Sequence, residues 1–295
     1  MFTIAAFYQF TTLPDIVAYK EKLAELAGEQ GVVGSILLAP EGVNGTIAGT
    51  RAGVDALLAA LRALPGCSGL EHKESTSEHK PFKRMKVRLK KEIVTMGVDV
   101  DARNDVGTYV APEDWNALIS DPETILIDAR NEYEVAIGSF DGAIDPKTST
   151  FGELPKWLDE LAAQKQSGEK KKLAMFCTGG IRCEKATAYA KKLGFDDIFH
   201  LKGGILKYLE NVPETESLWR GACYVFDERV SVGHGLVEGD HVMCRACGRP
   251  VDSNGRAHRD YREGVSCKNC INEYTEEDRA RFAARHQQII DAGRE

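Results

Sequence analysis

Residues 171–194, KKLAMFCTGGIRCEKATAYAKKLG, constrain the fold more than any other part of the chain. KKLAMF is a short apolar run and reads as a buried strand ending at Cys177. CEKATAYAKKLG places Ala186, Tyr189, Ala190 and Leu193 on one helical face and ends at Gly194, a helix stop. A strand that passes through two glycines into a helix is the repeating unit of a parallel α/β sheet. The same strand-then-helix pattern starts at ETILIDAR, residues 123–130, and runs to about residue 217. Open sheets of this kind bind ligands at the carboxyl ends of their strands, which is where Cys177 falls.

The loop chemistry follows from its residue types. Gly179 and Gly180 let the backbone turn its N–H groups inward, and the helix N-terminus adds its positive end, so Thr178, Gly179, Gly180 and Ile181 form a candidate anion cradle. Arg182 adds a permanent cation. Such surroundings favour the thiolate of Cys177, the form that reacts. An inert core cysteine is the plainer alternative, and the conjunction of two glycines, an arginine and a helix argues against it. The spacing is Cys-x4-Arg, one residue shorter than the Cys-x5-Arg loop that wraps a phosphate, and it suits a smaller group such as the outer sulfur of a persulfide. Cys183 reads equally as a resolving thiol or as a packed helix cysteine.

Upstream, residues 1–97 follow the order β-α-β-β-α-β of a ferredoxin-like α+β domain, with a hairpin turn expected at Asn44-Gly45. Residues 98–121 read as a connector, 122–217 as the parallel-sheet α/β domain, and 218–295 as a cysteine-rich module ending in a charged helix. The formal net charge of -7 excludes a protein that coats nucleic acid through its overall charge, so local patches decide. One exists: KPFKRMKVRLKK, residues 80–91, has seven basic residues and no acidic one. As a strand it puts Arg84, Lys86, Arg88 and Lys90 on one face, beside Lys83, and Met85, Val87 and Leu89 on the other. That ridge is a candidate phosphate-contacting surface for RNA; a solvated strand face is the alternative.

Of eight cysteines, Cys244, Cys247, Cys267 and Cys270 form C-x2-C-x19-C-x2-C, the pattern of a closed, structural tetrahedral zinc site in a reducing compartment. His258, Asp260 and His286 nominally offer two histidines and a carboxylate for iron, but beside a zinc-like knuckle they read as surface residues. No G-x-G-x-x-G opens a helix, so no flavin or nicotinamide site is expected. The start, MFTIAAFYQFTTLPD, has no signal-peptide pattern, and no run reaches a membrane-spanning length, so a soluble cytoplasmic protein is expected.

Three segments resemble a rhodanese domain. ILIDARNEYEVAIGSFDGAI carries Asp128, Arg130 and Glu134 in the pattern of its first signature, CTGGIR resembles its active loop, and HLKGGILKY its closing motif. Ser139-Phe140 and Tyr208 depart from residues common there, Gly-His-Ile and tryptophan. With LLAPEGVNGTIAG and FKRMKVRLKKEIVTMG in front and the paired cysteines behind, nearly the full length resembles the oxygen-dependent tRNA uridine hydroxylase family. That resemblance implies tRNA as partner, O2 as co-substrate and 5-hydroxyuridine at the wobble position as product, with Cys177 and Arg182 catalytic. It leaves the donor of sulfur or electrons unnamed. Rhodanese folds also serve sulfur transfer, so a sulfurtransferase carrying a Cys177 persulfide is the first alternative. A noncatalytic RNA-binding adaptor is the second, and the intact Cys177–Arg182 loop argues against it.

Overall fold

The computed structural model describes residues 1–164 and 171–292, so the final glycine of the predicted C-terminal helix, Gly293, lies outside the described residues. The chain forms two compact units, 1–224 with 233–237, and 225–232 with the residues from 238 onward. The first unit holds both expected α/β layers. Its N-terminal part runs β1 (Phe2–Phe10), α1 (Ile16–Glu29), β2 (Val33–Ala39), β3 (Gly42–Gly49), α2 (Arg51–Arg62), β4 (His72–Ser77) and β5 (Met85–Leu89). The sheet order is β4-β1-β3-β2-β5. Asp15 and Thr50 cap α1 and α2 by accepting from Ala18 N and Gly53 N, at 3.1 Å each. Leu23 and Ala27 of α1 and Val54, Leu57, Leu58 and Leu61 of α2 bury against Phe7, Ile36, Val43 and Ile47 of the sheet.

The ferredoxin-like expectation holds, with two corrections. Its fourth strand is β4, which is polar and lacks an apolar stripe; β5 is a fifth strand, parallel to β2 at the sheet edge. The hairpin turn is Pro40-Glu41, with Ala39 opposite Gly42, while Asn44 and Gly45 lie inside β3 opposite Tyr8 and Phe7. Packing overrides the turn signal there. Asn44 Nδ2 donates to Ile93 O at 2.9 Å, and a Cβ on Gly45 would come within 2.8 Å of the Phe7 ring.

The rhodanese-like part runs β6 (Thr108–Val110), α3 (Pro112–Ile119), β7 (Thr124–Asp128), α4 (Glu132–Val135), β8 (Gly138–Phe140), α5 (Leu154–Ala163), β9 (Lys172–Phe176), α6 (Ile181–Lys192), β10 (Ile198–Leu201) and α7 (Gly204–Asn211). Its parallel sheet has the order β6-β10-β9-β7. The segment read as connector thus supplies an edge strand and a helix to this layer. Ala186 and Ala190 are fully buried and Tyr189 and Leu193 pack beside them, the face expected of α6. Phe10 and Ala39 of the first sheet cluster with Ile93, Ala102, Tyr8 and Ile181, the first residue of α6.

The second unit is small. Val242–Met243 pairs with Pro250–Val251, and a helix at Glu276–Asp291 starts with a capping box between Thr275 and Asp278. Among the described residues no helix is long and apolar enough to cross a membrane.

Candidate active site

Cys177 leaves the carboxyl end of β9 fully buried. The loop after it is shaped from below by α7. Ile205 N donates to Cys177 O at 3.0 Å and Leu206 N to Thr178 O at 3.1 Å, so these carbonyls point to the helix and away from the sulfur. That contact explains the second glycine of HLKGGILKY: Gly204 has φ +68°, and a Cβ there would lie 2.5 Å from Cys177 O. On the opposite side Gly180 N donates to Cys177 Sγ at 3.2 Å. Burial raises the Cys177 pKa, and the Cys183 thiol, the Arg182 charge and the N–H groups of Cys183 and Gly180 together outweigh it, holding the thiol at about 5. Cys183 is pushed the other way, well above the ordinary thiol range, by burial first and then by its bond to Cys177. It remains a thiol that donates.

Arg182 is committed elsewhere than to the loop centre. Its guanidinium meets Glu134 Oε2 and Oε1 at 2.6 and 2.7 Å and Thr178 Oγ1 at 3.2 Å, all buried. Glu134 also accepts from Thr178 Oγ1 at 3.1 Å and from Asn131 N at 3.1 Å. Arg182 therefore braces the loop and acts on Cys177 through its field. Behind it Arg130 grips Asp128 at 2.8 and 2.6 Å, and Ser139 Oγ donates to Asp128 at 2.8 Å. The two departures in the rhodanese-like motifs find local partners. Phe140 meets Phe176, Tyr208 and Trp219 edge-on, and the Tyr208 hydroxyl donates to Asn116 Oδ1 at 2.7 Å while accepting from Leu218 N at 2.9 Å.

The N-terminal sheet reaches this loop with residues that sequence reasoning missed. Lys73 Nζ of β4 donates to Gly179 O at 2.9 Å. Tyr8 of β1 donates to Glu184 Oε1 at 2.8 Å, and Tyr109 of β6 to Glu184 Oε2 at 2.7 Å. Next to Glu184, the buried Lys185 pairs with Glu41 at 2.9 Å and Glu92 at 2.6 Å. Glu41, from the EGVNG turn, thus holds the helix that carries the loop, and Glu41 Oε1 also accepts from Ile93 N at 2.7 Å. Acidic Glu184 in the first turn of the helix that follows the cysteine loop was a local signal of it.

A family model described as a UPF0176 acylphosphatase like domain matches residues 2–93, and one described as a Rhodanese-like domain matches residues 111–211. The chain is 60% identical over 289 residues to a tRNA uridine(34) hydroxylase of Agrobacterium fabrum, covering 98% of this chain and 91% of that one. It is 58% identical over 290 residues to the tRNA uridine(34) hydroxylase of Roseobacter denitrificans, covering 98% and 97%. The chain belongs to the tRNA uridine(34) hydroxylase family.

In this member of the family Lys86 and Arg88 lie on the edge strand β5, with Lys83 and Arg84 just before it and Lys90 just after. Lys83, Arg84, Lys86, Arg88 and Lys90 are exposed, and Met85 and Val87 pack on the core. Leu89 departs from the expected alternation at 37% exposure. In the second unit the sulfurs of Cys244, Cys247, Cys267 and Cys270 all lie within 4.8 Å of one another and could hold a metal ion. The Cys244–Cys270, Cys247–Cys267 and Cys267–Cys270 distances are 4.0, 3.8 and 3.6 Å. Tetrahedral zinc with Zn–S of about 2.3 Å requires roughly 3.8 Å. His258, Asp260 and His286 form no such group among the described residues; His258 and Asp260 pair with each other, and His286 packs on Gly264.

Proposed function

We propose that the protein hydroxylates the wobble uridine of tRNA, position 34, at C5, with O2 as co-substrate and 5-hydroxyuridine as product. The observation that carries this reading is the 60% identity over 98% of the chain to a protein named tRNA uridine(34) hydroxylase. Cys177 is the nucleophile. Its thiolate adds to C6 of the uracil, the C5–C6 π pair moves toward C5 and O4, and C5 then takes oxygen from O2 or a peroxide derived from it. One oxygen atom is kept; the other leaves as water, with two electrons and two protons from a donor outside the chain. The Gly180 and Cys183 N–H groups hold the sulfur where it leaves and returns, and the Arg182–Glu134 pair fixes the loop. Lys83, Arg84, Lys86, Arg88 and Lys90 neutralise tRNA phosphates. The four-cysteine cluster takes zinc, which four thiolates close off from catalysis, and a tRNA substrate implies a cytoplasmic protein.

The test is nucleoside mass spectrometry of tRNA from cells lacking the protein, complemented with wild type or Cys177→Ala. 5-Hydroxyuridine or its derivatives return with wild type and stay absent with the variant. Nucleosides that do not depend on the protein would defeat this reading and leave sulfur transfer from a Cys177 persulfide in front.

A further inference from the structure

Glu134 and Glu184 are both buried carboxylates beside the cysteine loop, and their partners differ in kind. Glu134 faces a guanidinium, which fixes it as an anion; burial opposes that, and Arg182 overrides it. Glu184 has a neutral phenol on each oxygen, from Tyr8 and Tyr109. The groups facing it come from four places: Tyr8 on β1, Lys73 on β4, Tyr109 on β6 and Cys177 at the head of its own loop. Burial raises its proton affinity, the two phenols oppose, the Cys177 thiolate adds to the rise and Lys73 opposes it; the balance is a raised pKa. A carboxyl so placed holds a proton more readily than an ordinary carboxylate, whereas Glu134 stays charged.

Tyr8 connects this carboxyl to the reacting loop. Its hydroxyl rests on Gly180, where a Cβ would come within 2.9 Å of it, and the N–H of that same Gly180 binds Cys177 Sγ. Gly180 has φ +102°, so the close approach and the backbone turn both select glycine. Lys73 Nζ sits 5.5 Å from the Tyr8 ring centre while holding Gly179 O. Tyr8 and Lys73 both come from the N-terminal sheet, so the cluster exists only when that sheet and the rhodanese-like layer are joined.

We propose that Glu184, acting through the hydroxyl of Tyr8, delivers and removes the proton at C5 of the uracil that Cys177 attacks. This rests on the hydroxylase reading and deepens it. When the thiolate bonds to C6, the enolate formed takes a proton at C5 from the Glu184–Tyr8 pair, leaving a carboxylate. In reverse the carboxylate accepts a C5 hydrogen as a proton, the C5–C6 double bond re-forms and the C6–S bond breaks. After oxygen has entered C5, the same base removes the remaining C5 hydrogen and the Cys177 thiolate departs. No oxidant or reductant enters these steps.

Because addition and protonation run without O2, they are read by hydrogen exchange. Full-length protein and a tRNA transcript with uridine at position 34 are incubated anaerobically in D2O, and deuterium at C5 of that uridine is followed by mass spectrometry of the anticodon fragment. Wild type exchanges, Cys177→Ala does not, Glu184→Gln slows exchange by about tenfold or more, and Tyr8→Phe slows it too. Cys177 alkylation by iodoacetamide stays within about twofold of wild type in both Glu184→Gln and Tyr8→Phe. Exchange at the wild-type rate in both variants overturns the proposal. So does loss of exchange together with loss of alkylation, which would make the cluster a support for the loop. No exchange by a wild-type protein that restores 5-hydroxyuridine in cells also overturns it, and leaves the hydroxylase reading standing; that reading fails only in the cell assay.

Discussion

At Cys177 the charge on sulfur is set by a contest between burial, which favours the neutral thiol, and a ring of donors that favours the anion. The donors win, so the folded-state pKa, about 5, lies below the ordinary thiol value of 9.0. The thiolate is therefore populated above about pH 5 and lost below it. The rate of alkylation by iodoacetamide should rise through about pH 5 and be flat above, while the denatured chain rises near pH 9. Cys183→Ala removes a donor and should move the midpoint upward, and Cys183→Ser, which keeps a hydroxyl donor, should move it less; unchanged midpoints would exclude Cys183 from the ring. Cys177 and the loop were legible because strand, glycines, arginine and helix are contiguous. The position of Arg182 on Glu134 was not, although both residues stood in recognised motifs, since a motif names residues without saying which way a guanidinium turns. Tyr8 was illegible for a simpler reason: it meets Glu184 across 176 residues of chain, and in FTIAAFYQF it reads only as part of a buried strand.

Elements with a strong apolar period were read correctly, and those whose partners lie elsewhere were not. α1, α2 and α6 show their buried faces in sequence. β4, HKESTS, has no apolar alternation, and its pairing with β1 along six residues holds it in the sheet. β5 was legible as a strand with two faces, but its place at the edge, parallel to β2, needed the structure. An edge strand carrying a row of cations resists pairing with another chain and offers that row to an anionic partner. Changing Lys86 and Arg88 to glutamine should weaken tRNA binding at low salt and flatten the plot of log affinity against log salt by about one unit for each phosphate left without its cation. Fluorescence anisotropy across a salt series measures this; an unaltered slope removes the ridge from the tRNA surface.

On the scale of the whole molecule, the two compact units are stabilised by different means. The first buries two large apolar cores. The second has a small cluster, chiefly Val251 and three buried cysteines, with Val242, Tyr261 and Tyr274 beside it, too little to fold on apolar burial alone. A metal held by the four cysteines would supply the difference. The purified protein should hold about one zinc per chain, Cys267→Ser should lose it, and limited proteolysis should then cut within residues 238–292 at sites that stay intact in wild type. Full protease resistance of a zinc-free variant would show that the module folds without metal. Within the first unit, Lys185 bears on how the cysteine loop is held. Its ammonium is enclosed by Glu41 and Glu92 and is 2% exposed, and it is the chain neighbour of Glu184. Parting the N-terminal sheet from α6 would break both ion pairs at once, so Lys185 ties the two layers together at the helix that carries the loop. The cysteine loop is thereby set in one arrangement before any substrate arrives, and a substrate must fit it as it stands.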